Sequence, residues 1–111
     1  MILQLRVKNI IVPFLLDLGT ENNYISLDHF LTFVKSTNTN VYLKPTEVRI
    51  RNTPTCGTFE TELHWTGGGS NNFGTSAEFF VVLGRLPRPI IGAVTFDSLG
   101  GELVNIRHGQ N

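Results

Sequence analysis

The sequence is poor in cysteine and in charged residues, and it has no long hydrophobic run. Cys56 is the single cysteine among 111 residues, which excludes an intrachain disulfide framework and a cysteine-rich zinc site. Only 16% of the residues are charged, and nine Lys and Arg residues balance nine Asp and Glu residues. Electrostatic capture of nucleic acid or of an anionic membrane is therefore not expected.

Signals for membranes, metals and secretion are also missing. No apolar stretch approaches the roughly 20 residues of a membrane-spanning helix. The three histidines and Cys56 show no metal-ligand spacing, so no metal site is predicted. Because the N-terminus lacks a secretory pattern, we expect an intracellular protein, cytoplasmic rather than secreted.

The apolar residues that are present favour a single, mostly β domain over residues 1–111. Hydrophobic residues make up 41% of the chain, which is typical of a folded domain of this length. Two short helices are expected, Leu27–Val34 behind Ser26 as N-cap and Gly92–Leu99 ahead of two glycines. The expected strands are Ile2–Val7, Ile10–Leu16, Val41–Arg51, Phe59–Trp65, Glu78–Leu83, Ile90–Ile91 and Leu103–Ile106.

A cluster of turn-forming residues interrupts the middle of the chain. Asn52–Gly57 contains Asn, Pro and Gly and lies between the alternating segments Val41–Arg51 and Phe59–Trp65. The pattern predicts a β-hairpin with a six-residue tip over Asn52–Gly57.

Asp17 is the residue whose position points most directly to chemistry. It ends the apolar run Ile10–Leu16 and is followed closely by Gly19, so a strand delivers a carboxylate to a tight turn flanked by apolar residues. A charge in such a place costs free energy unless hydrogen bonds or a partner compensate. Taken alone, this segment is also compatible with a structural aspartate that accepts hydrogen bonds from local backbone amides.

The order of these segments resembles that of retropepsin-type aspartic proteases. Asp17-Leu18-Gly19-Thr20 stands where that family has Asp-Thr/Ser-Gly-Ala/Thr. Ile90-Ile91-Gly92-Ala93 is similar to the family's later Ile-Ile/Leu-Gly turn, and the predicted hairpin lies where the family has its flap. Both segments are most similar to proteases of Bel/Pao-type retrotransposons, and the resemblance covers nearly the whole chain.

The resemblance implies a closed β-barrel that forms a symmetric homodimer, in which each chain supplies one aspartate. It implies that Asp17 is catalytic, with Gly19 and Thr20 in the active-site loop, that the ligand is a peptide or protein, and that no cofactor is needed. It further implies a flap (Thr53, Pro54, Thr55, Cys56, Gly57), a support for the cleft (Ile90, Ile91, Gly92, Ala93) and a dimer interface (Ile2, Leu3, Leu5, Leu18, Leu103, Val104, Ile106).

Leu18 departs from the family pattern, in which a Thr or Ser hydroxyl forms hydrogen bonds across the two active-site loops. Leucine cannot form that bond, so the geometry of an aspartate pair would be less constrained. Val94 is a second departure, because the Bel/Pao relatives have Asp there. The sequence therefore predicts a dimerisation and peptide- or protein-interaction module in which Leu18 puts catalysis in doubt. The alternatives are an active homodimeric aspartic endopeptidase and a monomeric β-barrel binding module.

Overall fold

The computed structural model describes residues 1–47, 49–50, 53–66 and 74–100. Within these ranges the chain is mostly β with two short helices, which confirms the predicted fold class. The strands are β1 (Ile2–Val7), β2 (Ile10–Leu16), β3 (Asn23–Ser26), β4 (Arg49–Ile50), β5 (Thr53–Trp65), β6 (Gly74–Val82) and β7 (Ile90–Ile91), and the helices are α1 (Leu27–Thr37) and α2 (Ala93–Ser98).

One set of predicted residues cannot be compared with this fold. The expected strand Leu103–Ile106 lies outside the described residues. The assignment of Leu103, Val104 and Ile106 to a dimer interface therefore stays a prediction.

The strands form one sheet in the order β1-β2-β7-β3-β6-β5-β4. An additional antiparallel pairing joins β1 to β5, with Leu5 opposite Trp65. The end of β2 runs parallel to β7, with Leu16 beside Ile91. This parallel pairing carries the chain segment after β2 to the turn that follows β7.

Strand β1 alternates strictly between the interior and the surface. Leu3, Leu5 and Val7 are buried, whereas Ile2 on the opposite face is exposed. Successive side chains of a strand point to opposite faces, so residues two apart share the core side. The side chains of Leu3 and Leu5 thus pack in the core of this chain, and the assignment of these residues to a dimer interface stays a prediction.

Helix α1 covers the sheet with aromatic side chains. Its N-cap is Ser26, as predicted, and the Ser26 hydroxyl oxygen accepts a hydrogen bond of 3.2 Å from the backbone N–H of His29. The rings of Phe30 and Phe33 lie 4.8 and 5.7 Å from the ring of Phe59 on β5, measured between centroids. These contacts attach α1 to the strand that continues from the β4–β5 hairpin.

The β4–β5 hairpin turns at a different place from the predicted one. Ile50 pairs with Thr53, so the chain reverses between these two residues and not over a six-residue tip. The predicted flap residues Thr53–Gly57 belong to β5, where a register shift just before Gly57 marks a β-bulge. Gly57 has a φ of 135°, a conformation that favours glycine, so the glycine that suggested a turn serves a bulge inside the strand.

Candidate active site

Asp17 lies directly after β2, where that strand passes beside β7. Its backbone N–H donates a hydrogen bond of 3.0 Å to the carbonyl of Ile91, and its own carbonyl accepts one of 3.4 Å from the N–H of Thr20. Its side-chain Oδ1 accepts a hydrogen bond of 2.9 Å from the N–H of Gly19. The residue is exposed. The main chain of Asp17 is thus attached on both sides, and its exposed carboxylate is oriented by one backbone N–H.

The turn Ile90-Ile91-Gly92-Ala93 packs against the loop that follows Asp17. The N–H of Ala93 donates a hydrogen bond of 2.7 Å to the carbonyl of Thr20. A Cβ atom on Gly92 would lie 2.8 Å from that same carbonyl oxygen and would collide with the carbonyl oxygen of Asn22. Two backbones can approach this closely only because residue 92 is glycine. The structure therefore places the four predicted support residues next to the predicted active-site loop.

Asn23 connects these two segments, although the sequence patterns did not single it out. Its buried side-chain oxygen accepts a hydrogen bond of 2.9 Å from the N–H of Gly92. Its amide nitrogen donates to the carbonyl of Glu78 at 2.9 Å and to the hydroxyl of Thr95 at 2.7 Å. The alternation of side chains along β3 could have identified it, because Asn23 lies on the same face as buried Ile25. A side-chain amide on a buried face needs hydrogen-bond partners.

A groove of about 550 Å³ opens beside Asp17. The predicted active-site loop, residues 17–20, forms one part of its wall, Arg49 on β4 forms another, and the segment Gly84–Leu86 after β6 forms a third. The hydroxyl of Thr20, also in the wall, donates a hydrogen bond of 3.2 Å to the phenol oxygen of Tyr24. The groove thus brings the β4–β5 hairpin and the carboxylate of Asp17 to the same surface.

In the described part of the chain, the charged side chains that line this groove are those of Asp17, Arg49 and Arg85. Among the described residues, no three His, Cys, Asp or Glu side chains are grouped so that they could hold a metal ion. The arrangement offers the general acid–base chemistry of a carboxylate next to cationic hydrogen-bond donors. Neither of the helices that the structure describes is long and apolar enough to cross a membrane.

Leu18 lies between Asp17 and Gly19 in the loop, and it is 41% exposed. The hydrogen bonds of the loop with described residues are made by its backbone groups and by the side-chain oxygens of Asp17 and Thr20, and none of these involves the side chain at position 18. Val94 is likewise exposed, on the first turn of α2. Within this chain, both departures from the family pattern are apolar side chains at the surface.

Comparison with solved structures identifies the fold as retropepsin-like, as predicted. The chain is similar to the retroviral protease-like domain of Ddi1 from Leishmania major, with a TM-score of 0.62 and 15% identity over 87% of this chain and 74% of that one. It is similar to EIAV protease in complex with the inhibitor HBY-793, with a TM-score of 0.61 and 17% identity over 93% of this chain and 90% of that one. It is also similar to a retropepsin-like aspartic protease from Rickettsia conorii, with a TM-score of 0.57 and 11% identity over 86% of this chain and 68% of that one.

These likenesses establish the fold alone, because all three identities are low. A scan against protein-family models and a search of curated proteins both find no match. The predicted closeness to Bel/Pao-type proteases therefore stays a prediction.

Proposed function

We propose that this chain is one half of a homodimeric aspartic endopeptidase, in which each subunit contributes Asp17 as its catalytic residue. The observation that carries the proposal is the exposed Asp17 carboxylate, oriented by the N–H of Gly19 at 2.9 Å and open to a groove within a retropepsin-like fold. Two of the similar structures are themselves named as proteases, one of them with an inhibitor bound.

The proposed mechanism uses two Asp17 carboxylates that face each other across the dimer axis. Two carboxylates within hydrogen-bonding distance of each other share one proton, because charge repulsion disfavours the state in which both are ionised. The ionised one takes a proton from a water molecule, whose oxygen adds to the scissile carbonyl carbon, while the protonated one donates its proton to the carbonyl oxygen. The carboxyl that took the proton from water then gives it to the peptide nitrogen, while the other carboxylate takes a proton from one hydroxyl of the gem-diol. The C–N bond breaks, an amine and a carboxylic acid are released, and the pair again shares one proton.

Exposed apolar residues beside Asp17 support the dimer. The N–H of Leu16 donates a hydrogen bond of 2.9 Å to the carbonyl of Met1, which places the start of the chain next to the active-site loop. The side chains of Met1, Ile2 and Leu18 are 51%, 42% and 41% exposed. A second copy of the chain would cover this apolar surface. We further propose that the β1–β5 pairing closes the sheet into a barrel in each subunit.

The β4–β5 hairpin is the proposed flap. Arg49 on β4 lines the groove that contains Asp17, and the five predicted flap residues Thr53–Gly57 follow in β5. A substrate in extended conformation would lie between the hairpin and the active-site loop, where backbone hydrogen bonds hold it as an added strand.

A second candidate function is peptide or protein binding without cleavage. Leu18 favours it, because a leucine cannot supply the hydroxyl with which the family joins its two active-site loops. The loop bonds of Asp17 favour the endopeptidase, since they form inside one chain and need no hydroxyl at position 18.

A peptide library incubated with the wild-type chain and with Asp17→Asn distinguishes the two functions. An endopeptidase yields fragments that disappear in Asp17→Asn, as seen by mass spectrometry. A binding module retains peptides and yields no fragments with either chain.

A further inference from the structure

Among the residues that the structure describes, those that line the groove beside Asp17 have a surplus of formal positive charge. The charged side chains that line it are Asp17, Arg49 and Arg85 among the described residues, and Arg49 already has an interaction partner. Arginine stays protonated throughout the pH range in which proteins are folded. The formal net charge of the whole chain is +0, so the surplus is a local property of the groove.

We propose that this groove selects acidic peptides, with Asp or Glu close to the scissile bond. The inference rests on the proposed function of Asp17 and adds a substrate class to it. In the proposed dimer, an aspartate pair that shares a proton carries a single negative charge, whereas the two chains together bring two Arg85 side chains. A groove whose charge is opposite to that of its ligand raises the encounter rate and disfavours ligands of like charge.

Arg85 is the arginine on which the inference mainly rests. It lies in the segment between β6 and β7, and its side chain is exposed. Within the part of the chain that the structure describes, it has no ion pair or hydrogen bond. Its guanidinium group can therefore donate two parallel hydrogen bonds to a substrate carboxylate without giving up a partner.

Arg88 offers a matched control in the same segment. It is also exposed, but it lines a separate cavity between β2 and α1, where Pro87 and Pro89 are its neighbours. Arg88→Gln thus removes the same charge from the same segment without changing the wall of the groove.

The test compares peptides that are identical except for Glu, Gln or Lys within three positions of the scissile bond. Cleavage is followed at about pH 6, where glutamate side chains are ionised. We expect kcat/KM for the Glu peptide to exceed that for the Gln peptide about threefold or more, and high salt to reduce the difference. Arg85→Gln should abolish the preference, Arg88→Gln should retain it, and Arg85→Glu should shift it toward the Lys peptide. Circular dichroism shows whether each variant is folded.

The outcomes separate this inference from the proposed function. Equal cleavage of the Glu and Gln peptides by the wild-type chain overturns the selectivity and leaves the endopeptidase intact. An equal loss of preference in Arg85→Gln and Arg88→Gln also overturns it. If the wild-type chain cleaves none of the peptides, the endopeptidase is contradicted, and fluorescence anisotropy then tests the groove by binding. Tighter binding of the Glu peptide that Arg85→Gln abolishes supports the inference, and equal binding of all three peptides overturns it.

Discussion

The backbone N–H of Gly92 donates a hydrogen bond of 2.9 Å to the side-chain oxygen of Asn23 in the protein interior. This bond joins the turn before α2 to the strand that follows the active-site loop. At the other end of the loop, the N–H of Asp17 donates to the carbonyl of Ile91 at 3.0 Å. The loop is therefore attached at both ends to the same turn, which keeps the Asp17 carboxylate at the edge of the groove.

Asn23→Ala should destabilise the fold strongly. The substitution removes three hydrogen bonds and leaves the N–H of Gly92 and the hydroxyl of Thr95 without this partner in the interior. We expect a loss of about 3 kcal/mol in the free energy of unfolding, measured by urea denaturation. Asn22→Ala, at an exposed neighbouring position, should cost less than about 0.5 kcal/mol. Similar losses for the two variants would contradict the role assigned to Asn23.

Gly92→Ala should displace the active-site loop. A Cβ atom at this position would collide with the carbonyl oxygen of Asn22, which belongs to the backbone and cannot move aside cheaply. We expect a loss of more than about 2 kcal/mol in the free energy of unfolding, together with reduced peptide cleavage. Gly84→Ala is the control, because a Cβ atom there meets nothing within 4 Å, and its stability should be nearly unchanged.

Leu18→Thr tests whether the missing hydroxyl prevents catalysis. Because Leu18 is exposed within its own chain and the described loop bonds do not involve its side chain, each subunit should keep its fold, as measured by circular dichroism. We expect both the wild-type chain and the variant to cleave peptides, with kcat values within about tenfold of each other. Cleavage by Leu18→Thr alone would show that leucine at this position prevents the reaction.

Ile2→Asp should weaken the proposed dimer. Ile2 is exposed next to the active-site loop, and covering a carboxylate with a second chain carries a desolvation cost. We expect the dimer dissociation constant to rise about tenfold or more in sedimentation equilibrium. Leu31→Asp introduces the same charge at an exposed leucine of α1 and should leave the constant unchanged. A wild-type chain that stays monomeric would contradict the dimer itself.

Several elements could be predicted because their signals are local. An apolar run that ends in Asp17, a Ser26 N-cap ahead of an amphipathic helix, and Gly92 before a short helix each depend on neighbouring residues. The two helices and the strand leading to Asp17 were found for this reason.

The rest depends on contacts between distant residues. Asn23 finds two of its partners 69 and 72 positions away, so its importance is visible only once β3, β6 and α2 are packed together. Gly57 signals a turn when read locally, but pairing of β5 with β6 uses it in a bulge. An apolar residue such as Leu3 or Leu5 suits both a core and a dimer interface. The alternation of β1 in the folded chain is what places these side chains in the core.

The most direct test of the proposed function is the rate of peptide cleavage by the wild-type chain and by Asp17→Asn, measured on the same peptide library. Asparagine is nearly the same size as aspartate but cannot act as a general base, and Asp17 is exposed, so the fold should be retained. We expect the wild-type chain to cleave peptides of the library and Asp17→Asn to lower the rate about a thousandfold or more. Equal cleavage by the two chains, or no cleavage by either, would contradict the assignment of Asp17 as the catalytic residue.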